Sequence, residues 1–213
     1  MYYNYLKELG KEVAEPAEMY GGTIYAEVVK KFIDEYGDRF VGHTMADNRI
    51  SDPEVHELFR EKSIQYFLVE IKKQLDELGV AIGYYSSEKA MYDNHEIEKT
   101  LKSYEELGKT YQLDGALWLK TTEFGDDKDR VLVKSDGTYT YITPDLACHN
   151  IRFNRAKANK YVNYWGGDHH GYITRVRAGL ALLGNDFNAL DIEMIQMVRL
   201  IKNGQEYKMS KRR

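Results

Sequence analysis

Residues 160–184 read "KYVNYWGGDHHGYITRVRAGLALLG", and residues 193–201 read "EMIQMVRLI". The first six residues are the apolar and aromatic run of a short buried strand, "GGDHHG" is a glycine-flanked turn, and "YITRVRAGLALLG" has the spacing of an amphipathic helix. With "EMIQMVRLI" as a second strand, the order strand, turn, helix, strand makes a parallel crossover unit. In open α/β sheets, ligands bind at the loop leaving the carboxyl end of such a strand. Gly166 and Gly167 let the backbone approach a ligand closely. Asp168 is placed either to accept from ribose hydroxyls or to cap the helix. His169 and His170 have no thiolates nearby, which favours hydrogen bonding or stacking over metal ligation.

Upstream of this unit, "DGALWLKT" (114–121) and "RVLVKSDGTYTYIT" (130–143) read as strands, with a hairpin turn at Ser135-Asp136-Gly137. "TPDLACHNIRFNRAKA" (143–158) then starts a helix, with Thr143 as its cap and Pro144 in the first turn. Asp145 has two readings. It complements the helix dipole, worth about 0.3–1 kcal/mol, or it joins Tyr141, four residues earlier, in an acidic and aromatic pocket for a guanidinium. "FGDDKDR" (124–130) lacks calcium-loop spacing and reads as a solvated turn.

Nearer the start, helices dominate. "SDPEVHELFREKSIQYFLVEIKKQLDELG" (51–79) offers Asp52 as N-cap, Pro53 at the first helical position and Gly79 as a stop. Its apolar face runs through Val55, Leu58, Phe59, Phe67, Leu68, Ile71, Leu75 and Leu78. Shorter helices are expected in "TIYAEVVKKFIDEYG" (23–37) and in "HEIEKTLKSYEELG" (95–108), the latter ending at Gly108.

At 213 residues and 43% hydrophobic, the chain can bury a core. The one cysteine, Cys148, excludes an internal disulfide and speaks against thiolate zinc or iron–sulfur chemistry. No apolar run approaches the roughly 20 residues of a membrane helix, and the start lacks a secretory pattern, so a soluble, cytoplasmic protein is expected. Charge is uneven: residues 148–213 hold 12 basic and 5 acidic side chains, against 18 and 29 in residues 1–147. Either the last third faces an anion such as phosphate, nucleotide or RNA, or an acidic face solvates the remainder.

The chain closes on "KMSKR" (208–212) and Arg213, directly after a strand and a glycine-containing turn. Lys208 and Lys211 there can meet charge developing on a triphosphate. This segment resembles the signature loop of class I aminoacyl-tRNA synthetases. "FGDDKDRVLVKSDGTYTYITPDLACH" (124–149) followed by "WGGDHHGY" (165–172) resembles the arginyl-tRNA synthetase catalytic core, a likeness dense from about Tyr20 to Arg213. The resemblance implies an α/β fold: the second half of a Rossmann-type parallel sheet with an inserted mixed α/β segment at about 20–137 and a nucleotide-binding half at about 138–213, all within one partial catalytic domain. It implies activation of arginine with ATP, accompanied by Mg, and transfer to tRNA(Arg), with no tightly bound protein metal and no membrane. Lys208, Ser210 and Lys211 would be catalytic; Tyr141, Asp145 and His169 would read arginine; Gly166, Gly167, Asp168, His170 and Met209 would lie on the ATP side.

Two departures accompany the likeness. Cys148 stands where the family has tyrosine, and no His-Ile-Gly-His-like sequence occurs. The family's N-terminal RNA-contacting and C-terminal anticodon-binding domains have no counterpart either. The chain is therefore expected to fold as a piece of the enzyme, to be inactive alone and to self-associate through its truncated face. A free-standing nucleotide-binding relative with another acceptor, or a non-catalytic RNA-binding module, are the alternatives. Tyr141 with Asp145 argues against the first, and the lack of a basic aromatic stripe argues against the second.

Overall fold

The computed structural model describes residues 1–16, 24–196 and 198–207, with the side chains of 24 and 168–170 outside the description. Two compact units result, one of Met1–Tyr85 with residues 199–207, the other Ser86–Val198. The break anticipated near residue 137 lies within the second unit.

In the first unit, α1 (Tyr2–Glu8) and α2 (Ile24–Tyr36) precede a minimal hairpin of β1 (Met45–Ala46) and β2 (Arg49–Ile50), then α3 (Pro53–Glu77). The hairpin turn places Asp47 and Asn48 at positive φ, a conformation that these short polar side chains tolerate. Tyr2, Tyr5, Phe32, Phe40 and Phe59 form an aromatic core, with Phe32 and Phe59 ring centroids 4.2 Å apart. The buried phenols keep their hydroxyls satisfied on the backbone: Tyr2 donates to Phe40 O and His43 O at 2.9 Å, and Tyr5 donates to Gly37 O at 2.9 Å.

Helix α3 begins as its sequence dictates. Asp52 Oδ1 accepts from Glu54 N at 2.9 Å and Val55 N at 3.1 Å, Pro53 opens the first turn, and Gly79 follows at φ +75°. The expected apolar face is buried only at its start. Val55 and Phe59 enter the core, whereas Leu68, Ile71 and Leu78 are exposed, the last at 77%.

The second unit runs α4 (Glu88–Asp93), α5 (Glu96–Glu106), β3 (Thr110–Leu113), β4 (Ala116–Leu119), β5 (Arg130–Val133), α6 (Ile142–Ala156), β6 (Tyr161–Gly166), a 3-10 segment (Gly167–Tyr172), α7 (Ile173–Leu182) and β7 (Leu190–Ile195). Strands β3, β4 and β5 form an antiparallel meander. Strands β6 and β7 pair in parallel from Tyr161↔Leu190 to Gly166↔Ile195, with α7 as the crossover. Leu119, Leu132, Ile142, Leu146, Phe153, Tyr161, Val176, Leu180 and Leu190 make one core joining both sheets to α6 and α7. Where α6 crosses α7 there is room only for glycine: a Cβ on Gly179 would overlap the methyls of Leu146. A last hairpin, β8 (Leu200–Lys202) with β9 (Gln205–Tyr207), belongs to the first unit.

Several sequence expectations are corrected here. Asp114 and Gly115 form the positive-φ turn between β3 and β4 rather than the start of a strand. The Ser135-Asp136-Gly137 turn is present, but its return arm makes a single bridge, Tyr139 to Val133, before α6 begins. Thr143 is no cap: its hydroxyl donates to Leu132 O at 2.7 Å, so it ties α6 to β5 while Tyr141 holds the cap position. Strand β6 is two-faced, with Tyr161 and Asn163 buried and Tyr164 72% exposed, because the core covers only one side of it. "EMIQMVRLI" is divided between β7 and β8. "FGDDKDR" is not merely solvated, since Asp126 and Arg130 within it are buried partners.

Candidate functional site

The first turn of α6 is set by β5. Thr140 N donates to Leu132 O at 3.0 Å, and the Thr140 and Thr143 hydroxyls add their own bonds to the same strand. Tyr141 is thereby left 80% exposed at the helix start. Asp145 follows one turn later on the same face, half-buried. Tyr172, at the end of the 3-10 segment, packs its ring 5.8 Å from Trp165, and the Arg175 guanidinium lies 5.9 Å over it. Its hydroxyl is buried without a hydrogen-bond partner among the described residues. Burial, then the nearby Asp145 carboxylate, pushes the Tyr172 phenol well above its ordinary pKa. Asp145, Tyr141 and Tyr172 therefore form one neighbourhood, of which sequence reading had found two members.

At the carboxyl end of the parallel pair, Gly166 closes β6 and Gly167 opens the 3-10 segment. The space beside Gly167 is taken by the Gln196 amide, which a Cβ would meet at 3.5 Å. These two positions lie at adjacent strand ends, where open α/β sheets form their ligand crevice. The side chains of Asp168, His169 and His170 lie outside the described residues, as do Lys208, Met209, Ser210 and Lys211. The β8–β9 hairpin, turning at Asn203-Gly204, delivers the chain to position 207, just before that segment.

Beneath Asp145 runs a polar chain that the sequence reading missed. His149 Nδ1 is 2.8 Å from Asp145 O, His149 Nε2 is 2.8 Å from Asn163 Nδ2, and Arg152 Nη1 donates to Asn163 Oδ1 at 2.6 Å. Asn163 is only 8% exposed in the middle of β6. A buried amide inside an otherwise apolar strand was the available signal, because it demands partners. Arg152 also lies 5.3 Å over the Tyr161 ring, with its Nε and Nη2 buried and unpartnered among the described residues. Burial lowers the His149 pKa; the bond to Asp145 O opposes this and the Arg152 charge reinforces it.

Residues 20–213 match the family described as tRNA synthetases class I (R), catalytic domain. The chain belongs to that family. Its mixture of helices and strands is the α/β fold of a class I synthetase catalytic domain. The arginine–tRNA ligase of Mesoplasma florum is 59% identical over 213 residues, all of this chain and 38% of that protein. The ligase of Geobacillus thermodenitrificans is 45% identical over 208 residues, 98% of this chain and 36% of its own length. A crystal structure from Campylobacter jejuni, described as an arginyl tRNA synthetase, superposes with a TM-score of 0.77 at 34% identity, covering 96% of this chain and 42% of that one. The Thermus thermophilus arginyl-tRNA synthetase shares the fold alone, with a TM-score of 0.55 at 15% identity. The chain thus spans well under half the length of these synthetases. Among the described residues, no helix is long and apolar enough to cross a membrane.

Proposed function

We propose that this chain is the arginine-selecting part of an arginine–tRNA ligase. The full reaction joins arginine to the α-phosphate of ATP, releases Mg-complexed pyrophosphate, and passes the arginyl group to tRNA(Arg) in the cytoplasm. The observation that carries this reading is Asp145 one helical turn after Tyr141, with the buried Tyr172 hydroxyl beside its carboxylate. A guanidinium is planar and always charged, so a carboxylate with aromatic neighbours fits it and rejects uncharged amino acids. The family relationship supports arginine as the substrate that this carboxylate meets.

In this proposal residues from about 138 onward form the Rossmann-type nucleotide-binding half, with the segment at about 20–137 inserted before it. Gly166, Gly167, Asp168 and His170 hold ATP, with Met209 on the same side, while His169 joins the arginine pocket. Lys208 and Lys211, with Ser210 between them, stabilise the departing pyrophosphate, where charge grows in the transition state. The 213-residue chain spans 38% of a relative named for the whole reaction, and alone it is expected to give no arginine-dependent exchange. The deciding experiment is ATP–pyrophosphate exchange by the full-length protein with each amino acid in turn. Exchange driven by arginine and not by lysine or citrulline supports the reading, and exchange driven by another amino acid refutes it.

A further inference from the structure

The chain of hydrogen bonds from Arg152 to Asp145 has a fixed direction. A guanidinium can only donate, so the Asn163 atom facing it is the carbonyl oxygen. The other arm of Asn163 is then the NH2 group, which needs an acceptor in His149 Nε2. At the far end, a backbone carbonyl can only accept, so His149 Nδ1 carries the proton. Both ends therefore dictate the same state, a neutral imidazole protonated on Nδ1 with Nε2 bare. The chain joins two elements: His149 stands one turn after Asp145 on α6, and Asn163 sits in the middle of β6, the strand that leads to Gly166 and Gly167.

We propose that His149 is a positioning residue for arginine selection: as the neutral Nδ1–H tautomer it pins the Asp145-bearing turn of α6 to the middle of β6, and a proton on Nε2 releases that turn. This rests on the reading of Asp145 as the guanidinium partner. Protonation sets N–H against N–H. An imidazolium Nε2–H faces the Asn163 NH2 group, and rotating the amide to present oxygen to the imidazolium turns its NH2 group onto Arg152. Because the two neighbours face different arms of the Asn163 amide, either flip gives the oxygen to one of them and sets the NH2 group against the other. The charges acting on His149 come from its own helix, Arg152 opposing protonation and Asp145 favouring it; β6 contributes the neutral Asn163 amide. Burial favours the neutral form as well.

The test has two arms. In the full-length ligase, arginine KM and ATP KM are measured by pyrophosphate exchange between about pH 5 and 8, the range of a histidine switch. Wild type is expected to lose arginine affinity towards acid with ATP KM nearly flat. His149→Phe keeps an aromatic ring of similar breadth but neither polar atom, and should raise arginine KM about tenfold at neutral pH, as small misplacement of a substrate-holding group does. His149→Gln keeps a donor and an acceptor that do not titrate. It should restore arginine KM to near wild type while flattening the acid limb. An unchanged arginine KM and unchanged pH profile in His149→Phe overturns the proposal, and so does an equal rise in both KM values, which marks general loosening. In the second arm, nitrogen-15 spectra of the histidine-labelled full-length ligase, with His149→Gln to assign the signal, report the tautomer. Nδ1–H is expected, and Nε2–H overturns the proposal whatever the kinetics. Absence of arginine-dependent exchange in the wild-type ligase refutes instead the assignment of arginine as substrate.

Discussion

Arg130, the first residue of β5, closes a two-pronged fork on Asp126, Nε to Oδ2 and Nη2 to Oδ1, each at 2.7 Å, across a preceding loop otherwise rich in exposed charge. Burial pushes the Asp126 carboxyl up, but the bonds from Arg130, Asp127 and Thr121 outweigh it and bring the pKa down to about 2. A carboxylate depressed in the fold contributes stability that is present above its unfolded pKa of about 3.9 and lost as pH falls towards the folded value. Arg130→Met leaves Asp126 buried without its partner and should cost about 3–5 kcal/mol. Asp126→Leu combined with Arg130→Met should recover most of that loss. Urea melts of the three variants at neutral pH and near pH 3 check both statements, and the single Arg130→Met variant should lose the share of the wild type's acid sensitivity that Asp126 supplies, the other depressed carboxylates such as Glu35 and Asp191 keeping theirs.

Gly179→Ala is predicted to destabilise the second unit by about 1–3 kcal/mol, because the added methyl meets Leu146 across the α6–α7 crossing. A smaller partner makes room. The double variant Gly179→Ala with Leu146→Ala should therefore be less destabilised than the sum of its parts, which a double-mutant cycle in thermal unfolding measures.

Asp145→Asn in the full-length ligase should raise arginine KM by about a hundredfold or more, as loss of a charged partner in a shielded pocket costs about 3–5 kcal/mol. ATP KM should stay close to wild type. Equal changes in the two constants would remove Asp145 from the arginine pocket.

On the proposed role of Lys211, Lys211→Ala in the full-length ligase should slow adenylate formation more than it weakens ATP or arginine binding, since a group that meets charge appearing as pyrophosphate departs acts mainly in the transition state. Pre-steady-state adenylate formation compared with equilibrium ATP titration separates the two effects. Losses of similar size in both would make Lys211 a ground-state binding group.

The sequence spoke plainly where local chemistry acts alone. Asp52 before Pro53 marked the start of α3 because a cap and a first-turn proline need only their neighbours. The β6–α7–β7 crossover was visible because strand, glycine turn and helix carry different periods. Tyr141 and Asp145 could be paired from their four-residue spacing, although Tyr141 was expected at a strand end and sits instead at the cap of α6. What was missed depends on partners distant in sequence. Thr143 looked like a cap, but β5 supplies a carbonyl that takes its hydroxyl. His149 and Asn163 are 14 residues apart on different elements, and no period links them. Asp126 and Arg130 have helical spacing in a segment that is not helical, so the pattern gave no hint of a fork.

The buried phenol of Tyr104 on α5 donates to Gly179 O on α7 at 2.8 Å, a bond spanning 75 residues of chain. On a ribosome adding roughly 5–20 residues per second, α5 is made several seconds before the helix that covers it. Throughout that interval Tyr104, fully buried in the finished fold, has no α7 to pack against or to accept its hydroxyl. Newly made chains should therefore pass through a stage in which this helix face is open to chaperones, and its length should follow the speed at which codons between Tyr104 and Gly179 are read.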